Sequence, residues 1–108
     1  MTDRELLEAA AMAAGIELID YCTKVVICYY SKQTQSPWNP LDHDGDALRL
    51  AVRLRLTVQQ RGDHVKVGWQ GCVEWIGEEW VPCDEDCRGK ATRRAIVRAA
   101  AAMAPKEG

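Results

Sequence analysis

Two short clusters carry the side chains with the strongest chemistry. Asp42-His43-Asp44-Gly45-Asp46 sets carboxylates at alternate positions around an imidazole. Such oxygens can converge on a hard cation such as calcium. The spacing fails for the known helix-loop-helix calcium loop, which counted from Asp42 needs glycine at 47 and glutamate at 53, where this chain has Ala47 and Arg53. The same acids suit the first turn of a helix, where a carboxylate takes unpaired amides. The second cluster, Cys83-Asp84-Glu85-Asp86-Cys87, is a C-x3-C pair that with Cys72 and His64 would offer zinc ligands of a suitable type. Closed zinc sites usually join two close ligand pairs, however, and three acids between the thiols oppose thiolate formation. Partly buried free cysteines are therefore expected, with no metal and no cofactor.

Phosphate recognition is the next possibility. Arg49 and Arg53 would share one helix edge, and Arg93, Arg94 and Arg98 lie on another helix, so a nucleic-acid surface is the alternative reading. Against it stand an isoelectric point of about 5.6 and the acids Glu74, Glu78, Glu79, Asp84, Glu85 and Asp86. Solvated helix faces are the simpler account. The four tryptophans, in a chain with no phenylalanine, divide by context. Trp69 and Trp75 fall in strand-like runs and read as core. Trp38 and Trp80 fall in loop-like runs, where they either cover helix ends or make an intermolecular contact. His43 and His64 belong to no nucleophile, phosphate-loop or metalloprotease motif, so no catalysis is expected. Arg61-Gly62-Asp63 matches an adhesion tripeptide, but glycine and aspartate in a hairpin turn need no further cause.

The elements that must position these residues follow from caps and periodicity. Thr2-Asp3-Arg4-Glu5 is a capping box opening a helix that Gly15 ends, with Leu6, Ala9, Ala10 and Ala13 on one face. The β-branched and aromatic run Cys22 to Tyr30 predicts an inner strand. Pro37 and Pro40 bracket a loop around Trp38. A second helix, capped by Asp42 or Asp44, runs to about Leu54. Leu48, Ala51 and Val52 form one apolar stripe, and Ala47, Leu50 and Leu54 form another, leaving Arg49 and Arg53 as the wet edge. That arc of about 200° is wider than a surface helix needs. The helix is expected to be the central packing element or a subunit interface, with Trp38, Leu50, Leu54 and Trp80 as the contact residues.

Leu56 to Gln60 and His64 to Gln70 alternate with period two and predict a hairpin. A short strand is expected at Cys72 to Ile76, then an acidic segment to about Cys87. A last helix is expected to open at Thr92 and to stop at Pro105, turning Ile96, Ala99, Ala100 and Met103 inward and Arg94 and Arg98 outward. Residues 1 to 108 are expected to form a single domain of mixed α/β (α+β) class, with an antiparallel sheet of about four strands and helices packed on its faces as an α/β/α sandwich.

A net charge of −2 hides a gradient, since residues 1 to 20 hold five acids and one base while 88 to 106 hold six bases and no acid. Such asymmetry suits either a basic face or head-to-tail contact between copies. The five cysteines are an odd number, and the charged start Met1-Thr2-Asp3-Arg4-Glu5 lacks the apolar stretch of a secretion signal. A cytoplasmic protein is expected. No run approaches the roughly 20 apolar residues of a membrane span.

Three blocks resemble the phage ABA sandwich domain family of small bacteriophage and prophage proteins: Asp3 to Glu8 with Ala13-Ala14-Gly15, Trp38-Asn39-Pro40-Leu41 with Asp44 to Leu54, and Ala91 to Ala100. They cover about half the chain, and the cysteine-rich stretches at 21 to 36 and 69 to 88 depart from it. The family name implies an α/β/α sandwich, in keeping with the layers reached above. The resemblance brings no catalytic residues. It implies a small phage- or prophage-encoded accessory protein of the bacterial cytoplasm, acting by self-association as a homo-oligomer and by binding a phage or host macromolecule.

Overall fold

A computed structural model of the chain describes residues 2–60, 64–69, 76–79 and 85–104. The first helix, α1 (Asp3–Ala14), begins where expected, because the Thr2 hydroxyl accepts the Glu5 amide at 3.2 Å. It ends at Gly15, whose φ of 71° lets the Ile16 amide turn back to the Ala11 carbonyl at 2.9 Å. Its inward face is Leu6, Leu7, Ala10, Ala11 and Ala14, whereas Ala9 and Ala13 are only half-buried. The stripe is rotated from the expected one because it follows Leu7, whose larger apolar surface gains more from burial than that of Ala13.

The run Cys22 to Tyr30 is not an inner strand. Only its end enters β2 (Tyr29–Ser31), which pairs antiparallel with β1 (Leu18–Asp20) on one side and β3 (Ser36–Pro37) on the other. Between β1 and β2 the chain reverses at Thr23, whose amide reaches the Val26 carbonyl at 2.8 Å while its hydroxyl accepts the Val25 and Val26 amides. A threonine hydroxyl that satisfies local amides competes with strand pairing, and here it outweighs the β-branched composition. Val25 is consequently 91% exposed.

The second helix, α2 (Asp44–Leu54), takes His43 as its cap residue, with no side-chain hydrogen bond from it. Neither Asp42 nor Asp44 serves as the expected cap: Asp44 already lies in the first turn, and Asp42 accepts a hydrogen bond from the Asn39 side chain at 3.0 Å. The hairpin is as expected: β4 (Thr57–Gln60) pairs antiparallel with β5 (His64–Gly68), Val58 opposite Val67. The other edge of β5 takes β6 (Ile76–Glu79), with Val67 opposite Ile76. Ile76, the last residue of the strand expected at Cys72 to Ile76, opens β6, which goes on through Glu78 and Glu79. The turn at 61–63, Cys72 to Trp75, and Pro105 lie outside the described residues.

The last helix, α3 (Glu85–Ala102), runs well ahead of Thr92. Thr92 is interior, its hydroxyl donating to the Arg88 carbonyl at 2.9 Å, so the group that suggested a cap is satisfied within the helix. Ile96, Ala99 and Ala100 face inward as expected, Met103 is half-buried, and Arg94 is exposed.

Among the described residues the fold is a mixed α+β fold of three helices and two antiparallel sheets. Two three-stranded sheets, ordered β1-β2-β3 and β4-β5-β6, replace the single sheet of about four strands that was expected. Each strand pairs with its neighbour in sequence, and α2 separates the two sets. The central element is α3, not α2: it packs against α1, α2, β5 and β6. Ala91, Ala95, Ala99 and Ala100 of α3, with Ala10, Ala11 and Ala14 of α1, line the hydrophobic cluster, where small side chains let helices approach closely. Leu7, Leu50, Val65, Val67 and Val97 fill it and are fully buried, each contributing about 1.5–3 kcal/mol by leaving water.

Candidate interaction face on the second helix

The stretch Trp38 to Asp46 is a lock that aims α2. Asp46 is buried, and its carboxylate accepts the Asn39 amide at 2.9 Å and the Arg49 guanidinium at 2.6 Å. The Asn39 side chain in turn accepts the Leu41 amide at 3.1 Å. The Trp38 amide donates to the Tyr29 carbonyl at 2.9 Å, tying the loop to β2. The acids of this segment are thereby directed to amides and guanidinium groups in different directions. Among the described residues no three His, Cys, Asp or Glu side chains stand close enough to share a metal ion.

Ala47, Leu50, Ala51 and Leu54 form one stripe at i, i+3, i+4 and i+7 that seats α2 on the core. Leu50, expected at a contact surface, is 1% exposed, and Leu54 is half-buried against the same cluster. The apolar side chains left outside are Leu48 and Val52, one turn apart and 64% and 68% exposed. This pair is the feature that residue spacing should have singled out. One four-residue stripe already suffices to bury a helix, and the two apolar residues beyond it stay exposed among the described residues.

A groove runs along each side of this ridge. The larger, of about 700 Å³, lies between α2 and the β2–β3 turn, with Ile16, Pro37 and Trp38 on its walls and Arg49 and Arg53 also lining it. The second, of about 510 Å³, lies between α2 and α3, with Ala51, Val58, Thr92 and Ile96 along it. Trp38 is buried and packs into the core cluster while lining the larger groove. Trp80 lies outside the described residues.

The arginines of the alternative phosphate surface all have work within the fold. Arg49 pairs with Asp46. Arg53 donates through Nε to the Ala14 carbonyl at the end of α1. Arg93 reaches Leu41 and Asp44, and Arg94 pairs with Asp3 at 3.2 Å. Arg98 is half-buried and also engaged. The basic C-terminal helix and the acidic N-terminal one are joined by the Arg94–Asp3 pair, so part of the charge gradient is used internally.

Of the weak zinc set, Cys72 and Cys83 lie outside the described residues, and His64 is half-buried at the start of β5. Cys87 is disulfide-bonded, so it is not the free thiol expected. A sulfur in a disulfide is not a thiolate donor.

Comparison with protein-family models, with curated proteins and with solved structures finds no match to this chain. The fold and the α2 face define a small mixed α+β protein with an exposed apolar ridge between two grooves. No helix among the described residues is long and apolar enough to cross a membrane.

Proposed function

We propose that this is a non-enzymatic accessory protein that associates with itself through the exposed face of α2, and that it is phage- or prophage-encoded and works in the bacterial cytoplasm by binding a further macromolecule. The lineage and compartment rest on the sequence resemblance alone. The observation that carries self-association is the Leu48–Val52 ridge, 64% and 68% exposed beside a helix face already seated on its core.

Charge selects a second copy as the occupant. Asp42 and Asp44 stand at the start of α2, and Arg55 at its end. A twofold dimer brings the same patch of both copies together, so two α2 helices packed antiparallel place acids against arginines at both ends. In that arrangement Leu48 of one copy meets Val52 of the other.

Light-scattering mass measured with and without short DNA and RNA, at low and moderate salt, tests this reading. A discrete dimer, indifferent to nucleic acid and converted to monomer by Leu48→Asp or Val52→Asp with folding unchanged, is the expected result. A monomer at high concentration overturns it. A mass increase with nucleic acid that falls steeply with salt overturns it in favour of the arginine surface.

A further inference from the structure

The hairpin that joins β1 to β2 turns apolar side chains toward solvent. Past the strands its pairing is continued by the Tyr21 amide, which reaches the Cys28 carbonyl at 2.9 Å, and by the Thr23 amide, which reaches the Val26 carbonyl at 2.8 Å. Ile19 stands opposite Tyr30. Side chains alternate between the two faces of a strand pair, so Ile19, Tyr21, Val26 and Tyr30 share one face. The edge-to-face contact of the Tyr21 and Tyr30 rings, 5.4 Å between centroids, lies on it. Tyr29 is on the other face, buried and bonded to Glu8 of α1.

The open side of an antiparallel sheet is ordinarily polar. Here Tyr21 and Val26 are more than half exposed, Ile27 is exposed beside them, and Val25 at the turn is 91% exposed. A local cluster of exposed apolar side chains marks a contact with something outside the chain.

Charge points to what that is. Residues 21 to 41 hold two lysines and no acid. Lys32 pairs with Glu17, and Asp20 at the base of the hairpin pairs with Arg4. Lys24, next to Val25 in the turn, is the charge left over, and a negatively charged surface is its complement.

The backbone of the tip is also prepared to leave water. The Cys22 amide donates to Asp20, the Val25 and Val26 amides to the Thr23 hydroxyl, and the Cys28 amide to Cys22 Sγ. Amides paired inside a segment are not stranded when lipid replaces water around it. Valine and isoleucine, stiff about χ1, have little side-chain freedom to lose there. Tyrosine rings suit the depth of the headgroups. A protein partner would have to offer a broad complementary surface, whereas a bilayer takes up a projecting tip without one.

We propose that the β1–β2 hairpin docks the protein on an anionic phospholipid bilayer. Val25, Val26 and Ile27 enter the headgroup layer, Tyr21 lies at its outer boundary, and the long stem of Lys24 lets its ammonium group reach the lipid phosphates. The contact is peripheral, and none of these residues belongs to the α2 face.

Flotation of the intact protein with vesicles of equal parts phosphatidylglycerol and phosphatidylcholine, against vesicles of phosphatidylcholine alone, tests the docking. The wild-type chain is expected to float with the anionic vesicles and to remain behind with the neutral ones. Val25→Asp should lower the partition coefficient about ten-fold or more, because the burial of a valine is lost. Lys24→Gln should lower it about five-fold. Both positions are exposed, and far-ultraviolet circular dichroism of the variants checks that the fold is kept. Leu48→Asp, which breaks the proposed self-association, should still float, so the two proposals fail separately. Absence of wild-type flotation overturns the docking, as does equal flotation of wild type and Val25→Asp, or equal binding to both kinds of vesicle. A loss of self-association in Val25→Asp without vesicles, with no flotation of the wild type, would make the tip a protein contact instead.

Discussion

Arg93 of α3 clasps the start of α2, its Nη1 2.6 Å from Asp44 Oδ1 and its Nε donating to the Leu41 carbonyl at 2.9 Å. The two partners differ in exposure: the Arg93 side chain is 13% exposed and that of Asp44 85%. The buried partner should therefore dominate the energetics. Arg93→Met is expected to cost about 1–2 kcal/mol, because it strands the Leu41 carbonyl as well as the carboxylate. Asp44→Asn should cost well under 1 kcal/mol, as exposed ion pairs do. Urea unfolding midpoints of the two variants provide the check.

Tyr29 joins the first sheet to α1. Its ring is buried and its hydroxyl donates to Glu8 Oε1 at 2.6 Å. Burial, reinforced by the hydrogen bond to Glu8, pushes the phenol well above its ordinary value. Tyr29→Phe is expected to destabilise the fold by about 1.5–3 kcal/mol, the range for a hydrogen bond to a charged group. The pH dependence has a definite sign. In the unfolded chain the phenol ionises at its ordinary value while the folded one stays protonated, so the wild type loses stability as pH rises above that value. Tyr29→Phe should lack this component, and denaturation curves on both sides of the phenol range will show whether it does.

How much of this was legible in the sequence depends on where each signal is stored. The cap at Thr2, the stop at Gly15 and the β4–β5 hairpin were readable because each depends on residues within a few positions of one another. The strand at Cys22 to Tyr30 was misread because composition favours a strand while the Thr23 hydroxyl, a single local group, closes a turn. The start of α3 was misread because Thr92 resembles a cap, yet its hydroxyl is satisfied one turn back. On α2 the sequence shows how many apolar faces there are but not which one the core takes. Leu48 and Leu50 look alike in sequence, and only the seating of α2 on the core cluster buries Leu50 and leaves Leu48 outside. The arginine partners Asp44, Asp46 and Ala14 were equally hidden, two of them being reached through tertiary contact rather than helical spacing.

Asp20 gives the acid side of the pH profile. Hydrogen bonds from the Cys22 side chain and amide, with the Arg4 guanidinium beside them, hold its carboxyl below the usual range. A carboxylate whose folded value is depressed adds stability above its unfolded value and loses it as pH falls through the folded one. Asp20→Asn should therefore be slightly less stable than wild type at neutral pH, the effect being small for a half-exposed group. The two melting temperatures should converge as the pH drops below the ordinary carboxylate range. A difference that persists undiminished in strong acid would assign the loss to the side-chain geometry instead of the charge.

Arg55 separates the stability of α2 from its proposed contact. The helix ends on this residue at φ 56°, a left-handed conformation that any side chain bearing a Cβ adopts at a cost. The conformation is kept because it lets the Arg55 amide reach the Val52 carbonyl at 3.2 Å and the Leu56 amide reach Ala51 at 2.8 Å, pairing carbonyls that would otherwise be left open. Glycine makes the same turn without that cost, so Arg55→Gly should raise stability by about 0.5–1 kcal/mol. The same substitution removes a cation that, in the proposed antiparallel dimer, faces Asp44 of the second copy. Its melting temperature should therefore rise when measured on dilute monomer, while its dimer dissociates at higher protein concentration than that of the wild type. A variant that gains stability and associates as tightly as before would leave the left-handed cap explained and would remove Arg55 from the contact.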